Sequence, residues 1–237
     1  MSDRYWLVLK RKWMVRVLAL LAAYHLSPII SFAQTPHEWR DSVSVLLEQI
    51  RQDPKNTDLR LRKAEANIQL QQWDYAIEEY GNVLRIDPRN LAALYFRAYC
   101  LSHERRYDQA KADYDAFLAI EPLHLEARLG LAHVLQKMGR KSDTIDELNH
   151  IVQMFPDSAD AHAARAAYET EQQHYDIALY DWDQAIRLRP GNLSLLVSKV
   201  DVLLRMGRRR EARETLDTAV ASGTPRSQLH DWYERCK

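Results

Sequence analysis

Histidine and cysteine are the residues of this chain best suited to metal binding or nucleophilic catalysis. The sequence has nine histidines and two cysteines, Cys100 and Cys236. No two histidines have the H-x-x-x-H spacing that places two ligands on one helix face, and no cysteine–histidine spacing is typical of a zinc site. No G-x-S-x-G segment is present either. We therefore expect no catalytic residue, no metal site and no cofactor. We interpret Cys100 as an inert buried thiol and Cys236 as an exposed one.

Glycine spacing and net charge exclude two further kinds of ligand site. The six glycines are not spaced to form a G-x-G-x-x-G or a G-x-x-x-x-G-K-[ST] phosphate-binding loop. The 237 residues include 33 basic and 33 acidic side chains, so the chain lacks the basic excess typical of nucleic-acid binding. We expect no nucleic-acid partner. So few glycines also argue against a β-sandwich or a barrel.

Residues 1–33 have the pattern of a secretory signal. Basic residues precede an apolar stretch that begins at Val17, Pro28 interrupts this stretch, and Ser31 and Ala33 provide small residues for a signal peptidase. We predict cleavage after Ala33, which leaves 28 basic and 32 acidic residues and no stable membrane span. The alternative is an uncleaved anchor, for which the apolar stretch is short. The signal predicts export to the bacterial periplasm or cell envelope, or secretion.

A period of 34 residues governs the rest of the chain. Alanine and aromatic columns keep this step, and each period contains two stretches with apolar residues at helical spacing. In residues 91–124 the spacing predicts helices over 91–103 and 107–120. Each proline of the period ends a second helix, because proline cannot continue the helical hydrogen-bond ladder. These prolines are Pro54, Pro88, Pro122, Pro156 and Pro190.

This pattern resembles the tetratricopeptide repeat, a family whose unit has 34 residues. The unit 91–124 matches the family at Ala98, Tyr107, Ala110, Tyr114 and Pro122. The resemblance implies an all-α fold, a right-handed superhelical solenoid of tandem helix-turn-helix repeats. It also implies a non-enzymatic protein–protein interaction scaffold or adaptor. The implied organisation is a capping half repeat at 34–56, five repeats at 57–90, 91–124, 125–158, 159–192 and 193–226, and a short closing helix at 227–237.

The resemblance further implies a concave groove, lined by the first helix of each repeat, that holds a peptide segment or a partner helix. Tyrosine suits such a groove because it combines a large contact area with a hydroxyl group. The alternative is that the same side chains only cover the inner wall. The groove residues that we single out are Glu65, Tyr95, Tyr99, His103, His133 and Gln136.

Two other surfaces offer alternative functions. The half-repeat helix has an apolar face at Val43, Leu46 and Leu47, which predicts either a simple cap or self-association into a homo-oligomeric envelope component. Basic residues gather where the two helices of a repeat turn, and this basic edge either binds an anionic envelope polymer or is simply solvated. The basic edge contains Arg105, Arg106, Arg140, Lys141, Arg208, Arg209 and Arg210.

Opposite charges connect the two helices of some repeats. Register positions 7 and 23 hold a basic and an acidic residue in the first, second and fourth repeats, but not in the third or the fifth. We therefore predict three cross-helix ion pairs, each of which contributes about 0–1 kcal/mol if it is exposed. The pairs are Lys63–Glu79, Arg97–Asp113 and Arg165–Asp181.

Overall fold

The structure is a computed structural model that describes residues 35–237, and the predicted signal lies outside these residues. All regular structure in the described part of the chain is helical. In chain order the α-helices are α1 Pro36–Gln52, α2 Thr57–Gln69, α3 Trp73–Ile86, α4 Leu91–His103, α5 Tyr107–Leu118, α6 Leu125–Lys137, α7 Lys141–Met154, α8 Ala159–Glu171, α9 Tyr175–Leu188, α10 Leu193–Arg205, α11 Arg209–Ala221 and α12 His230–Arg235, with a 3-10 turn at Arg226–Leu229 before α12.

The described chain forms two compact units, residues 35–147 and residues 148–237. In the first unit each helix from α1 to α6 contacts the next, and the first helices α2, α4 and α6 also contact one another in that order. In the second unit α8, α9, α10 and α11 pack in sequence, and α12 contacts both α10 and α11. The predicted all-α fold of consecutive helix pairs is therefore confirmed. None of the helices in residues 35–237 is long and apolar enough to cross a membrane.

The first helices begin at a capping side chain that recurs every 34 residues. Asn56 accepts a hydrogen bond at 3.1 Å from the N–H of Leu59, and Asn90 accepts one at 3.0 Å from the N–H of Ala93. Such bonds satisfy backbone donors that have no partner within the helix. The equivalent capping residues of the next three repeats are His124, Ser158 and Asn192.

The turn between the two helices of each repeat contains one residue with left-handed backbone. Glycine adopts this conformation without steric cost, and it is present at Gly139 and Gly207, each with a φ of 73°. The other three repeats place a longer side chain there, at a cost of roughly 1 kcal/mol each. These residues are Gln71, Arg105 and Gln173. Arg105, which belongs to the predicted basic edge, is therefore the residue with left-handed backbone in the turn of the second repeat.

The repeated small and bulky columns form the core. Ala64, Ala98 and Ala166 are fully buried, and Tyr114 is 2% exposed. Gly130 of α6 provides the space that the Tyr114 ring needs, since a Cβ atom at Gly130 would lie 2.5 Å from Tyr114 Cζ. A small residue at this point of α6 is thus required by the neighbouring aromatic ring.

The expected exposure of Cys236 is wrong. This cysteine is 8% exposed and belongs to the same buried cluster as Leu229 and Tyr233, because the segment around α12 packs its apolar side against the second unit. Burial raises the pKa of the Cys236 thiol, which makes it a poor nucleophile and a poor site for an intermolecular disulfide. Cys100 is fully buried as expected, and burial raises its pKa as well.

Candidate functional site

The three predicted cross-helix ion pairs are present. Their carboxylates are almost completely buried, so these pairs are more strongly held than exposed ones. Two of the three use a bidentate arginine, which fixes the relative position of the two helices. The distances are 2.7 Å from Lys63 Nζ to Glu79, 2.6 and 2.7 Å from Arg97 to Asp113, and 2.7 and 2.8 Å from Arg165 to Asp181.

Register position 4 supplies a second basic group that our reading of the sequence missed. Arg60 donates one hydrogen bond of 2.9 Å to the carbonyl oxygen of Pro54 and another of 2.8 Å to Glu79. It therefore connects the loop before the repeat to the second helix of that repeat. The third repeat, for which we predicted no ion pair, uses the same position. Its Arg128 donates to the Pro122 carbonyl at 2.7 Å and to Glu147 at 2.8 Å.

A histidine occupies position 4 in the fourth repeat. His162 Nε2 lies 2.9 Å from the carbonyl oxygen of Pro156, and Nδ1 lies 3.0 Å from a carboxylate oxygen of Asp181. Arg165 binds the same fully buried carboxylate. Both ring nitrogens are thus engaged in holding the repeat together, and this His–Asp pair has the role of the arginine–carboxylate pairs in the earlier repeats. Among residues 35–237, no cluster of three potential ligands is arranged to hold a metal ion.

The predicted groove residues lie on α2, α4 and α6 of the first unit, and we call the face that these three helices present the first-helix surface. Glu65 lies on α2, Tyr99 and His103 lie on α4, and His133 and Gln136 lie on α6; all five side chains are partly exposed. Because α2 contacts α4 and α4 contacts α6, these side chains follow one another across neighbouring helices.

Tyr95 differs from the other five predicted groove residues. Only 5% of it is exposed, and burial raises the pKa of its hydroxyl well above the usual value. It supports the surface from within the core, and it offers almost no area to a partner. Its ring neighbours are Phe96, Tyr114, Phe117 and His124, with ring centroids 5.2 to 6.2 Å away.

Trp73 joins the first-helix surface, although we did not include it in the predicted groove. It is the first residue of α3, and its ring stacks on His103 with the centroids 4.1 Å apart and the planes 13° from parallel. Tyr99 contacts both rings, with centroid distances of 6.0 Å to Trp73 and 4.7 Å to His103. We call these three residues the aromatic cluster. The recurring aromatic column to which Trp73 belongs was the sequence signal for it.

Local carboxylates pair with several residues of the predicted basic edge. Arg140 lies 2.5 Å from Asp143, and Arg210 lies 2.9 Å from Glu214. Arg208 donates two hydrogen bonds to Glu211, and Arg209 donates one to the carbonyl oxygen of Lys237. The carboxylates offset the charges of Arg140, Arg208 and Arg210, which weakens the case for an anionic polymer as the partner.

Helix pairs with a constant 34-residue period, tied by recurring caps and carboxylates, define an all-α helical-repeat protein. Two sequence profiles of the Tetratricopeptide repeat family match the chain, one over residues 61–122 and the other over residues 101–168. Residues 61–168 therefore consist of tetratricopeptide repeats. No curated protein sequence matches the chain.

Solved structures share this fold. A tetratricopeptide repeat protein from Parabacteroides merdae ATCC 43184 aligns with a TM-score of 0.63 and 18% identity, covering 84% of this chain and 78% of its own. TTC0263, a thermophilic TPR protein of Thermus thermophilus, aligns with a TM-score of 0.58 and 19% identity over 76% of this chain and 98% of its own. YrrB, described as a TPR protein with an unusual peptide-binding site, aligns with a TM-score of 0.56 and 17% identity over 76% and 92%.

Proposed function

We propose that this protein is a non-enzymatic scaffold or adaptor that binds a peptide segment or a partner helix on its first-helix surface. Tetratricopeptide repeats are typical of protein–protein interaction scaffolds. The observation that carries the proposal is the row of partly exposed aromatic, imidazole and polar side chains across α2, α4 and α6. Tyrosine and histidine in such a row combine apolar contact area with hydrogen-bonding groups.

The likeness to YrrB supports this proposal at the level of the fold. YrrB is described as having a peptide-binding site, although an unusual one. A fold built from stacked helix pairs presents an extended surface without an enclosed cavity, which suits an elongated ligand.

A peptide selection tests the proposed surface. Peptides selected from a random display library against the purified protein should bind it, and Tyr99→Ala should weaken their binding by about tenfold or more. Tyr75→Ala is the matched control, since Tyr75 is 62% exposed and lies on the second helix α3 of the same repeat array. Fluorescence anisotropy of labelled peptides measures both affinities. Equal binding by the two variants, or no selected peptide at all, would contradict the proposal.

Export to the periplasm or cell envelope is a separate part of the proposal. It rests on the basic, apolar and small-residue segments of residues 1–33. Expression of the full chain in a bacterial host, followed by intact-mass measurement, should give a protein that begins at Gln34. A retained N-terminus in the membrane fraction would show that the segment acts as an anchor instead.

Self-association through α1 is the second candidate function. Leu46 is buried, but Leu47 is 38% exposed, so part of the apolar face of α1 remains uncovered by residues 35–237. Leu47→Asp tests this face without disturbing the core. A mass by light scattering that rises with concentration in the wild type and stays monomeric in Leu47→Asp would favour self-association, and a monomer in both would exclude it.

A further inference from the structure

The aromatic cluster brings three rings close together on the first-helix surface. Trp73, Tyr99 and His103 are partly exposed, and their mutual centroid distances lie between 4.1 and 6.0 Å. Aromatic rings present a negative electrostatic face, which attracts ammonium and guanidinium groups. A cluster of this kind is therefore suited to a cationic ligand as well as to an apolar one.

Glu65 brings a carboxylate to the same surface. It holds register position 9 in α2, and Tyr99 holds the same position in the adjoining first helix α4. These two helices contact each other, so the two side chains occupy equivalent places on neighbouring first helices, and both are partly exposed.

Within residues 35–237, no hydrogen bond or ion pair joins Glu65 to another side chain. Burial raises the pKa of Glu65 above its ordinary 4.5. The basic side chain that acts on Glu65 is Arg62, an exposed residue of the same helix whose positive charge lowers the pKa of Glu65. A partly buried carboxylate that lacks a basic partner is costly to ionise, and an incoming cation would remove that cost. The carboxylates of the cross-helix pairs differ because each already has a cation bound to it.

We propose that Glu65 and the aromatic cluster form a subsite for one cationic side chain, lysine or arginine, of the peptide bound on the first-helix surface. This inference rests on the proposed function, because it specifies the chemistry of the peptide. The aromatic faces receive the apolar stem and the charged group, and the Glu65 carboxylate accepts a charge-assisted hydrogen bond from it. The charge complementarity selects basic segments over acidic ones.

Small amino-acid probes test the subsite independently of any peptide. N-acetyl-arginine methylamide should shift the indole N–H resonance of Trp73 in a saturable way, at concentrations on the order of millimolar. The neutral citrulline analogue, which has the same shape, should give no saturable shift. Glu65→Gln should weaken binding of the arginine probe by about tenfold. Trp73→Phe identifies the resonance, and far-UV circular dichroism checks that each variant is folded.

Glu78→Gln is the matched control for the loss of one carboxylate. Glu78 is exposed and lies on the second helix of the same repeat, so this substitution should leave the arginine probe unaffected. Equal shifts with the arginine and citrulline probes, or equal arginine affinity in Glu65→Gln and wild type, would overturn the subsite. If selected peptides still lost affinity in Tyr99→Ala, the proposed function would survive that result. If arginine bound selectively but no peptide could be selected, the proposed peptide-binding function would fail. The inference would then fail with it, because it assigns the subsite to a side chain of that peptide.

Discussion

The fourth repeat and the last repeat lie in the same unit but hold their two helices together in different ways. In the fourth repeat the buried Asp181 accepts hydrogen bonds from Arg165 and engages His162, so one carboxylate connects both helices and the preceding loop. In the last repeat Thr215 takes the place of that carboxylate, and its hydroxyl donates a hydrogen bond to the Glu211 carbonyl oxygen of its own helix. Lys199, at the basic position, reaches back 2.6 Å to Asp183 of the preceding repeat.

The carboxylates of the last repeat hold the helix that follows it. Arg235 lies 2.7 Å from Asp201, and the Tyr233 hydroxyl donates a hydrogen bond of 2.7 Å to Asp217. Leu229 is fully buried at the start of the same segment. A repeat with a neighbour on each side thus contains its own cross-helix tie, whereas the last repeat depends on α12 for part of its stability. In the last repeat, therefore, Asp201 and Asp217 join the repeat to α12 and its flanking residues.

The largest effect is expected when the buried tie of the fourth repeat is removed. Asp181→Ala leaves Arg165 and His162 without their shared acceptor, and we expect it to lower the free energy of unfolding by about 3–5 kcal/mol. Asp183→Ala is the control, because the Asp183 side chain is 54% exposed and its pair with Lys199 is worth about 1 kcal/mol or less. Urea titration followed by circular dichroism measures both. If the two variants lost similar amounts of unfolding free energy, the buried Asp181 would stabilise the protein no more than the exposed Asp183 does.

An intermediate effect, with a defined pH dependence, is expected in the first repeat. Burial alone would raise the pKa of Glu79, but hydrogen bonds from Lys63, Arg60 and Asn82 outweigh it and hold that pKa below 4.5. A carboxylate with a lowered folded-state pKa stabilises the protein above pH 4.5, and this contribution is lost as the pH falls through the folded value.

Glu79→Gln should therefore cost about 2 kcal/mol at pH 7 and progressively less below about pH 4.5. Urea unfolding of the variant and the wild type at several pH values between about 3 and 7 measures the difference. A constant difference across this range would contradict the assignment of the stabilisation to the ionised carboxylate.

The smallest effect is expected when the missing tie is added to the last repeat. Thr215→Asp places a carboxylate opposite Lys199, and we expect a gain of about 0.5 kcal/mol, because Lys199 must leave Asp183 to use it. Thermal unfolding combined with Asp183→Asn separates the two partners of Lys199. The gain should increase in the double variant, and a loss of stability there would show that this repeat cannot accept the internal tie.

Much of the fold followed from the 34-residue spacing. Helix α4 begins and ends at the predicted residues 91 and 103, and α5 ends two residues before the predicted boundary of 120. The cross-helix pair of Arg97 and Asp113 was predictable because two charged residues recur at a constant separation. The role of Arg60 was missed, because one of its two acceptors is the backbone carbonyl of Pro54. Every residue has such a carbonyl, so the residue types in the sequence do not indicate this hydrogen bond.

The candidate site was less predictable than the fold. Register positions put Tyr95 and Tyr99 on the same surface, but packing buries the first and leaves the second partly exposed. Cys236 was expected to be exposed because it lies near the end of the sequence, yet α12 packs it into the core. Whether a side chain is buried depends on which residues of other helices pack against it. The spacing of residues in a single sequence does not identify those neighbours.

The amino-acid sequence determined the repeat length, the bounds of α4, the columns that form the core and three of the ion pairs, because each of these depends on the type and spacing of residues along the chain. The tertiary structure decided which groove residues are accessible, how Trp73 stacks on His103, and that Glu65 remains without a basic partner among residues 35–237. Those features depend on side chains from different helices that meet only after the repeats have packed.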